Sequence, residues 1–243
     1  MEKSYRGESE EVIQFGENFF RIKGFGKGID GNLQVEISSG KNREGEKRIL
    51  RNGIPISLAE WVGSLLVISL SLEDGEIIRG APDKRRQFLN IILSLFSRTY
   101  LQDLLEYRRV LRQRNRLLQE GKEETSSLYS PLEGWNQQLV MLGSRIMAKR
   151  IEMIQKLSDD LSRFNRLLSG DEYPLSLTYK PSFGRGQNSL DAERREDWEK
   201  EFWKALERVR KKEREWRKTL VGPHLDDLKV QLNGIDLRHF GSE

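Results

Sequence analysis

Ser130-Pro131-Leu132-Glu133-Gly134-Trp135-Asn136-Gln137-Gln138-Leu139 is the stretch on which the fold turns. Ser is a good helix N-cap, Pro suits the first helical position, and a Glu three residues after the cap completes a capping box. From there Leu132, Trp135, Leu139, Leu142 and Ile146 step by three and four, and Met153, Leu157, Leu161, Phe164 and Leu168 continue the same seam. The spacing predicts a long helix lying against a partner helix.

Partner helices are legible on both sides. Upstream, Tyr100, Leu104, Tyr107, Leu111 and Leu118 recur at helical spacing, with Arg108, Arg112 and Arg116 striped at i, i+4 on another face. Downstream, a strand is expected around Pro174–Lys180, then a Gly-rich loop at Gly184–Gly186. A second long helix from about Leu190 to Leu220 places Trp198, Phe202, Ala205, Val209 and Trp216 on one face. Residues 11–80 read instead as strands. Phe19–Lys23, Leu33–Ile37 and Lys47–Leu50 are β-rich, Asn52-Gly53 is a two-residue hairpin signal, and a meander ends in the apolar run Leu65–Leu70. Beyond Gly222 the chain returns to strands through an Asn233-Gly234 hairpin. The expected class is α+β: a β-rich part (1–80), a long helical excursion (81–220) and a return (221–243).

Composition narrows the partners and the setting. Forty-two Lys and Arg against 38 Asp and Glu give a net charge of +4, which permits an anionic partner without demanding one. Charged residues make up 33%, above the ordinary quarter, as long solvated helices require. The absence of cysteine removes disulfides and thiolate metal sites and fits a reducing, cytoplasmic setting. No apolar run approaches a membrane span and Met1–Arg6 has no apolar signal core, so a soluble protein is expected.

Four features could carry chemistry. Gly24-Phe25-Gly26-Lys27-Gly28 looks like a phosphate loop but lies between strands and lacks the Gly-Lys-Ser/Thr ending, so a hairpin turn is expected there. Asp83-Lys84-Arg85-Arg86 opens a helix after Gly80-Ala81-Pro82. Cations there oppose the helix dipole, so a grip on phosphate or on a partner carboxylate competes with a solvated first turn. The stripe Arg108, Arg112, Arg116 is a solvated face or a nucleic-acid contact. His224, Asp226 and Asp227 form a metal site, an acid–base pair or part of a larger site. One His and two adjacent carboxylates are too few to specify a metal.

These motifs, in this order, resemble the RecF family of bacterial DNA replication and repair proteins. Gly80–Leu89 is similar to its Gly-Ser/Ala-Pro-x-x-Arg-Arg-x-Phe-Leu signature, and Tyr107 with Leu111–Asn115 to its Leu-x-Gln-Arg-Asn helix. Lys3–Arg6, Gln14–Glu17, Asn52-Gly53, Tyr100-Leu101, and Trp135 with Leu139 and Gly143 match further segments in order. Gly222–Leu228 resembles its Gly-Pro-His-Arg-Asp-Asp-Leu turn, and Phe240–Glu243 the opening of its ATP-binding-cassette signature.

The resemblance implies an ATPase lobe of the SMC and cassette class interrupted by a helical lobe. It implies ATP and Mg2+ as cofactors, an ATP-dependent homodimer, binding to single- and double-stranded DNA at gaps, and RecA loading with RecO and RecR. Gly241 and Ser242 would act toward ATP on a second subunit, and His224, Asp226 and Asp227 would lie at the nucleotide or dimer face. Arg85, Arg86, Arg108, Arg112 and Arg116 become candidate DNA contacts. No Gly-x-x-x-x-Gly-Lys-Ser/Thr occurs and no Walker B segment follows, so the chain reads as an internal fragment needing no cofactor of its own. It departs from the family at Leu72 within Leu70–Gly75, at Asn90 where an Asp is usual, and at Leu225 where an Arg is usual. Two other readings stand beside this one: a helical adaptor binding a partner through the apolar seam, and a metal-dependent phosphohydrolase built on His224, Asp226 and Asp227.

Overall fold

The computed structural model describes residues 9–28, 31–40, 47–64, 71–121, 131–169, 173–183 and 195–240. The expected Lys3–Arg6 match, Leu65–Leu70 strand, Ser130 cap, Gly184–Gly186 loop and the Gly241 and Ser242 positions lie outside them. Helix and antiparallel sheet are mixed, and the chain forms two compact units. One holds the described residues up to 64 together with Ser94–Phe96; the other holds 71–93 and everything from 97 onward.

The first unit is a four-stranded antiparallel meander, β1 (Phe19–Gly28), β2 (Gly31–Gly40), β3 (Arg48–Arg51) and β4 (Ile54–Pro55), followed by a one-turn helix, α1 (Leu58–Trp61). Asn52 and Gly53 have φ of 50° and 79°, the left-handed pair that a type I′ hairpin requires. One expectation fails here. Gly24–Gly28 is not the turn but the second half of β1, with Gly24 opposite Val35 and Gly28 opposite Gly31. Its backbone belongs to the ladder with β2, so it is no phosphate loop.

The second unit contains α2 (Glu76–Arg79), α3 (Pro82–Phe96), α4 (Arg98–Glu120), α5 (Pro131–Ser169), β5 (Leu175–Lys180), α6 (Arg195–Trp216), β6 (Asp227–Leu232), β7 (Ile235–Asp236) and α7 (Leu237–Phe240). The excursion begins where Pro82 takes the first position of α3 and restarts at Ser97, whose hydroxyl caps α4 by accepting from Tyr100 N. The periodic residues do what their spacing predicts. Tyr107, Val110, Leu139, Ile146, Trp198 and Phe202 are all buried in one continuous core that β5 and β6 close with Tyr179 and Leu228. β6 pairs antiparallel with β5 and turns into β7 through Asn233-Gly234, again both at positive φ.

Two close approaches fix the helix crossings. A Cβ on Gly143 would lie 2.5 Å from the Phe202 ring, and one on Gly222, at φ +128°, 2.6 Å from the Tyr107 hydroxyl. Only glycine lets α5 and the 222 turn come this near to α4 and α6.

Two expected seams end early. On α5 burial stops near Ile154, and Phe164 and Leu168 are 53% and 89% exposed. Between Leu132 and Ile154 the seam is consumed by the core, so it offers no free face to an adaptor's partner. On α6 the helix ends at Trp216, not Leu220, because Arg217 adopts φ 54°. Trp216 was expected on the buried face and is instead exposed.

Candidate functional site: a turn clamped by three helices

The segment from Thr219 to Asp227 leaves α6 and enters β6, and every helix of the core reaches for it. At its start, Arg114 from α4 lies buried with its guanidinium divided between Glu213 (2.5 Å), Thr219 Oγ1 (2.7 Å) and Asn136 Oδ1 (2.7 Å). The other Glu213 oxygen accepts from Leu220 N (2.8 Å), and Asn115 Oδ1 accepts from Thr219 N and Oγ1. In its middle, Arg150 from α5 donates to the Pro223 carbonyl (2.7 Å) and to Asn90 Oδ1 (2.9 Å), which also accepts from Tyr100 Oη (2.7 Å). Asn at position 90 therefore keeps the acceptor that an Asp would supply.

Asp226 and Asp227 point to opposite sides, as neighbours at the start of a strand do. Asp226 is fully buried and accepts from Tyr179 Oη and from Ser182 N (2.6 Å). Burial pushes its carboxyl upward, against the pull of Arg150, Tyr179 and Ser182. Asp227 accepts from Arg85 Nε (2.7 Å) and, more distantly, from Arg238 of α7 (3.4 Å). His224 Nδ1 meets Tyr107 Oη at 2.7 Å. Burial pushes the Tyr107 phenol well up, so it stays a donor. The His224 Nε2 side faces the Thr219 carbonyl, 3.5 Å away, which selects the Nε2–H tautomer and leaves Nδ1 to accept.

This geometry corrects two expectations. Arg85 is fully buried and cannot touch a DNA backbone. Besides Asp227 it caps the end of α2, donating to the carbonyls of Gly80 (2.8 Å), Ile78 (3.3 Å) and Ile77 (3.4 Å). Its discomfort at the start of α3 is thus answered by the C-terminal end of another helix, where a cation belongs. Arg86 is half-buried and gives a donor to the Asp226 carbonyl (2.8 Å); burial, then nearby Arg150, lowers its pKa. His224 and Asp227 are engaged by Tyr107 and Arg85 of the helices and Asp226 by Tyr179 and Ser182 at the end of β5, so the three form neither a metal-ligand set nor a phosphohydrolase site. Among the described residues no cluster of three such side chains could hold a metal. Leu225, by contrast, is exposed, so the change from Arg leaves no buried partner behind.

Arg108, Arg112 and Arg116 remain exposed on α4, Arg116 beside Glu120 at 2.9 Å. Sequence reasoning missed Arg114, Arg150 and Glu213. Arg114 lies in the matched Leu111–Asn115 segment; beyond that the signal is position, each falling four residues from an apolar residue on its own helix, buried Val110 and Ile154 and half-buried Val209.

The His224 contact sets a pH dependence. Burial, then the cations Arg86, Arg114 and Arg150, hold its imidazole down to about 4 from an ordinary 6.5. The unfolded chain takes up this proton first, so its contribution is complete above about pH 6.5 and is lost as pH falls toward 4. The loss approaches about 3 kcal/mol at the acid end. His224→Gln should flatten this limb in denaturant titrations between pH 7 and 4. Parallel pH profiles for the two proteins would rule the assignment out.

The comparisons agree with this architecture. No family model matches the chain. The DNA replication and repair protein RecF of Shouchella clausii (strain KSM-K16) is 31% identical over 243 residues, covering 99% of this chain and 63% of the relative. That of Bacillus thuringiensis (strain Al Hakam) is 30% identical over 244 residues, covering all of this chain and 64% of its own length. Among solved structures, the recombination mediator protein RecF-ATPrS in the RecFOR pathway superimposes with a TM-score of 0.85 at 28% identity. It covers 98% of this chain and 62% of that one. The corresponding RecF-ATP structure gives 0.84 at 28%. The chain spans just under two thirds of the curated relatives it matches. No helix among the described residues is long and apolar enough to cross a membrane. Along nearly its whole length the chain is similar, in sequence and in fold, to a fragment of the RecF proteins.

Proposed function

We propose that this chain is the part of a RecF-type DNA replication and repair protein that carries the helical lobe and the β-structure flanking it. The division is 1–80 and 221–243 for ATPase-lobe segments and 81–220 for the helical lobe. In the whole protein it binds single- and double-stranded DNA at gaps in an ATP-dependent manner, as a homodimer, and assists RecA loading with RecO and RecR in the cytoplasm. Gly241 and Ser242 open the signature that meets ATP and Mg2+ on a second subunit.

Among the described residues the Gly24–Gly28 stretch is part of strand β1 and is not a phosphate loop. The observation that supports the DNA reading is the exposed stripe Arg108, Arg112 and Arg116 on a helix whose other face is committed to the core. Such cations hold phosphates and read no sequence. Binding of a duplex to this chain should weaken steeply with salt. Reversing all three charges to Glu should lower affinity at least tenfold and make the plot of log affinity against log salt shallower by two to three phosphate contacts' worth, at about 0.9 each. An unchanged slope would reduce the stripe to solvated surface.

A further inference from the structure

Trp216 is the last residue of α6 and stands 60% exposed. The α6 period that buries Trp198, Phe202 and Ala205 runs on through Val209 and Glu213, and three residues later it has passed the end of the core. Arg217 at φ 54° then reverses the chain, Lys218 N returns to the Glu213 carbonyl (3.2 Å), and Lys218 Nζ comes to 5.5 Å from the indole centroid.

A single exposed aromatic needs no explanation by itself. What distinguishes this one is its setting. Lys211, Lys212, Arg217 and Lys218, all within five residues of it along the chain, are exposed, whereas of the two acids in that span Glu213 is withdrawn into the core by Arg114 and Glu215 stays at the surface. The Arg114–Glu213 and Asn115–Thr219 bonds also hold this end of α6 beside the part of α4 that bears Arg112 and Arg116. A flat π surface with one cation against its ring and others nearby along the chain matches a ligand that offers a π face and a negative charge at every repeat. A protein partner would need to bring a concentrated acidic surface to the same place. Single-stranded nucleic acid has both elements in its covalent structure, and a duplex keeps its base faces stacked away.

We propose that Trp216 is a stacking platform for an unpaired base of single-stranded nucleic acid, with Lys211, Lys212, Arg217 and Lys218 holding the adjoining phosphates. The proposal rests on the reading of the helical lobe as a DNA-binding element and adds to it a preference for unpaired strand. It is tested on this chain by fluorescence anisotropy with a 20-nucleotide oligothymidylate and with a 20-base-pair duplex at low salt. Trp216→Ala should weaken oligothymidylate binding about 5- to 100-fold and leave the duplex within twofold. Trp216→Phe should keep most of the affinity while abolishing the quenching of tryptophan fluorescence that oligothymidylate produces in the unaltered chain. Equal oligothymidylate affinity in Trp216→Ala would overturn the platform while leaving the DNA reading intact. Polyglutamate binding as tightly as oligothymidylate would overturn it in favour of a patch for acidic protein. Binding of neither nucleic acid would overturn the DNA reading itself, and the platform with it.

Discussion

Replacing Arg150 with methionine is expected to lower the stability of this chain by about 3–5 kcal/mol. The guanidinium is buried, and it joins the Pro223 carbonyl, Asn90 and two tyrosine hydroxyls across elements that are otherwise far apart in sequence. Burial alone would lower its pKa, but Tyr100, Tyr179 and Asp226 more than offset this and hold it above the ordinary range. Methionine fills much of the space, so the main loss is electrostatic: Asp226 stays fully buried without the cation that most favours its charged form. Denaturant titration measures the change. Asp226→Asn introduced into the methionine variant should recover part of it, because the uncompensated charge is then absent. A loss below about 1 kcal/mol, or no recovery in the double variant, would mean that Arg150 acts only by filling space.

Glu213→Ala should be of similar size, about 3–5 kcal/mol, since it strands Arg114 as a buried charge. The informative comparison is the pair of changes Arg114→Met and Glu213→Leu made together. Apolar replacement of a whole buried ion pair is often close to neutral. Here it should remain destabilising by about 1–3 kcal/mol, because Glu213 also accepts from Leu220 N, and that donor would be left without a partner. A double variant as unstable as Glu213→Ala alone would contradict this partition. A fully stable one would show that the Leu220 amide finds water.

These two arginines also mark where sequence reading stops. The helical excursion was legible because its apolar residues repeat at three and four, and both hairpins because Asn-Gly accepts two positive φ angles at little strain. Arg150 and Glu213 share those seams, yet a charged residue in a charged helix reads as solvated when its partner lies far along the chain. Arg114 and Glu213 are 99 residues apart, and Arg85 and Asp227 are 142 apart. No local rule spans such distances. Opposite charges standing at seam positions of two helices are the signal that remains. Trp216 misled for the complementary reason: the period places it on the buried face, but period does not tell where the core underneath ends. The exposed Arg108, Arg112 and Arg116 stripe was visible as a pattern. The clamp on the 219–227 turn was not.

The Arg85–Asp227 pair joins the beginning of the helical excursion to its end. Everything between them, from α3 through α6, is therefore a loop closed at its neck, and the entropy of closing a loop grows only as the logarithm of its length. Doubling the excursion would cost about 0.6 kcal/mol in closure. The neck thereby separates two evolutionary variables. The helices can lengthen or shorten by whole turns while the pairing of β6 with β7 beyond the neck keeps its register. A longer helical excursion would need only residues inserted near Gly121, provided that Arg85 and Asp227 remained.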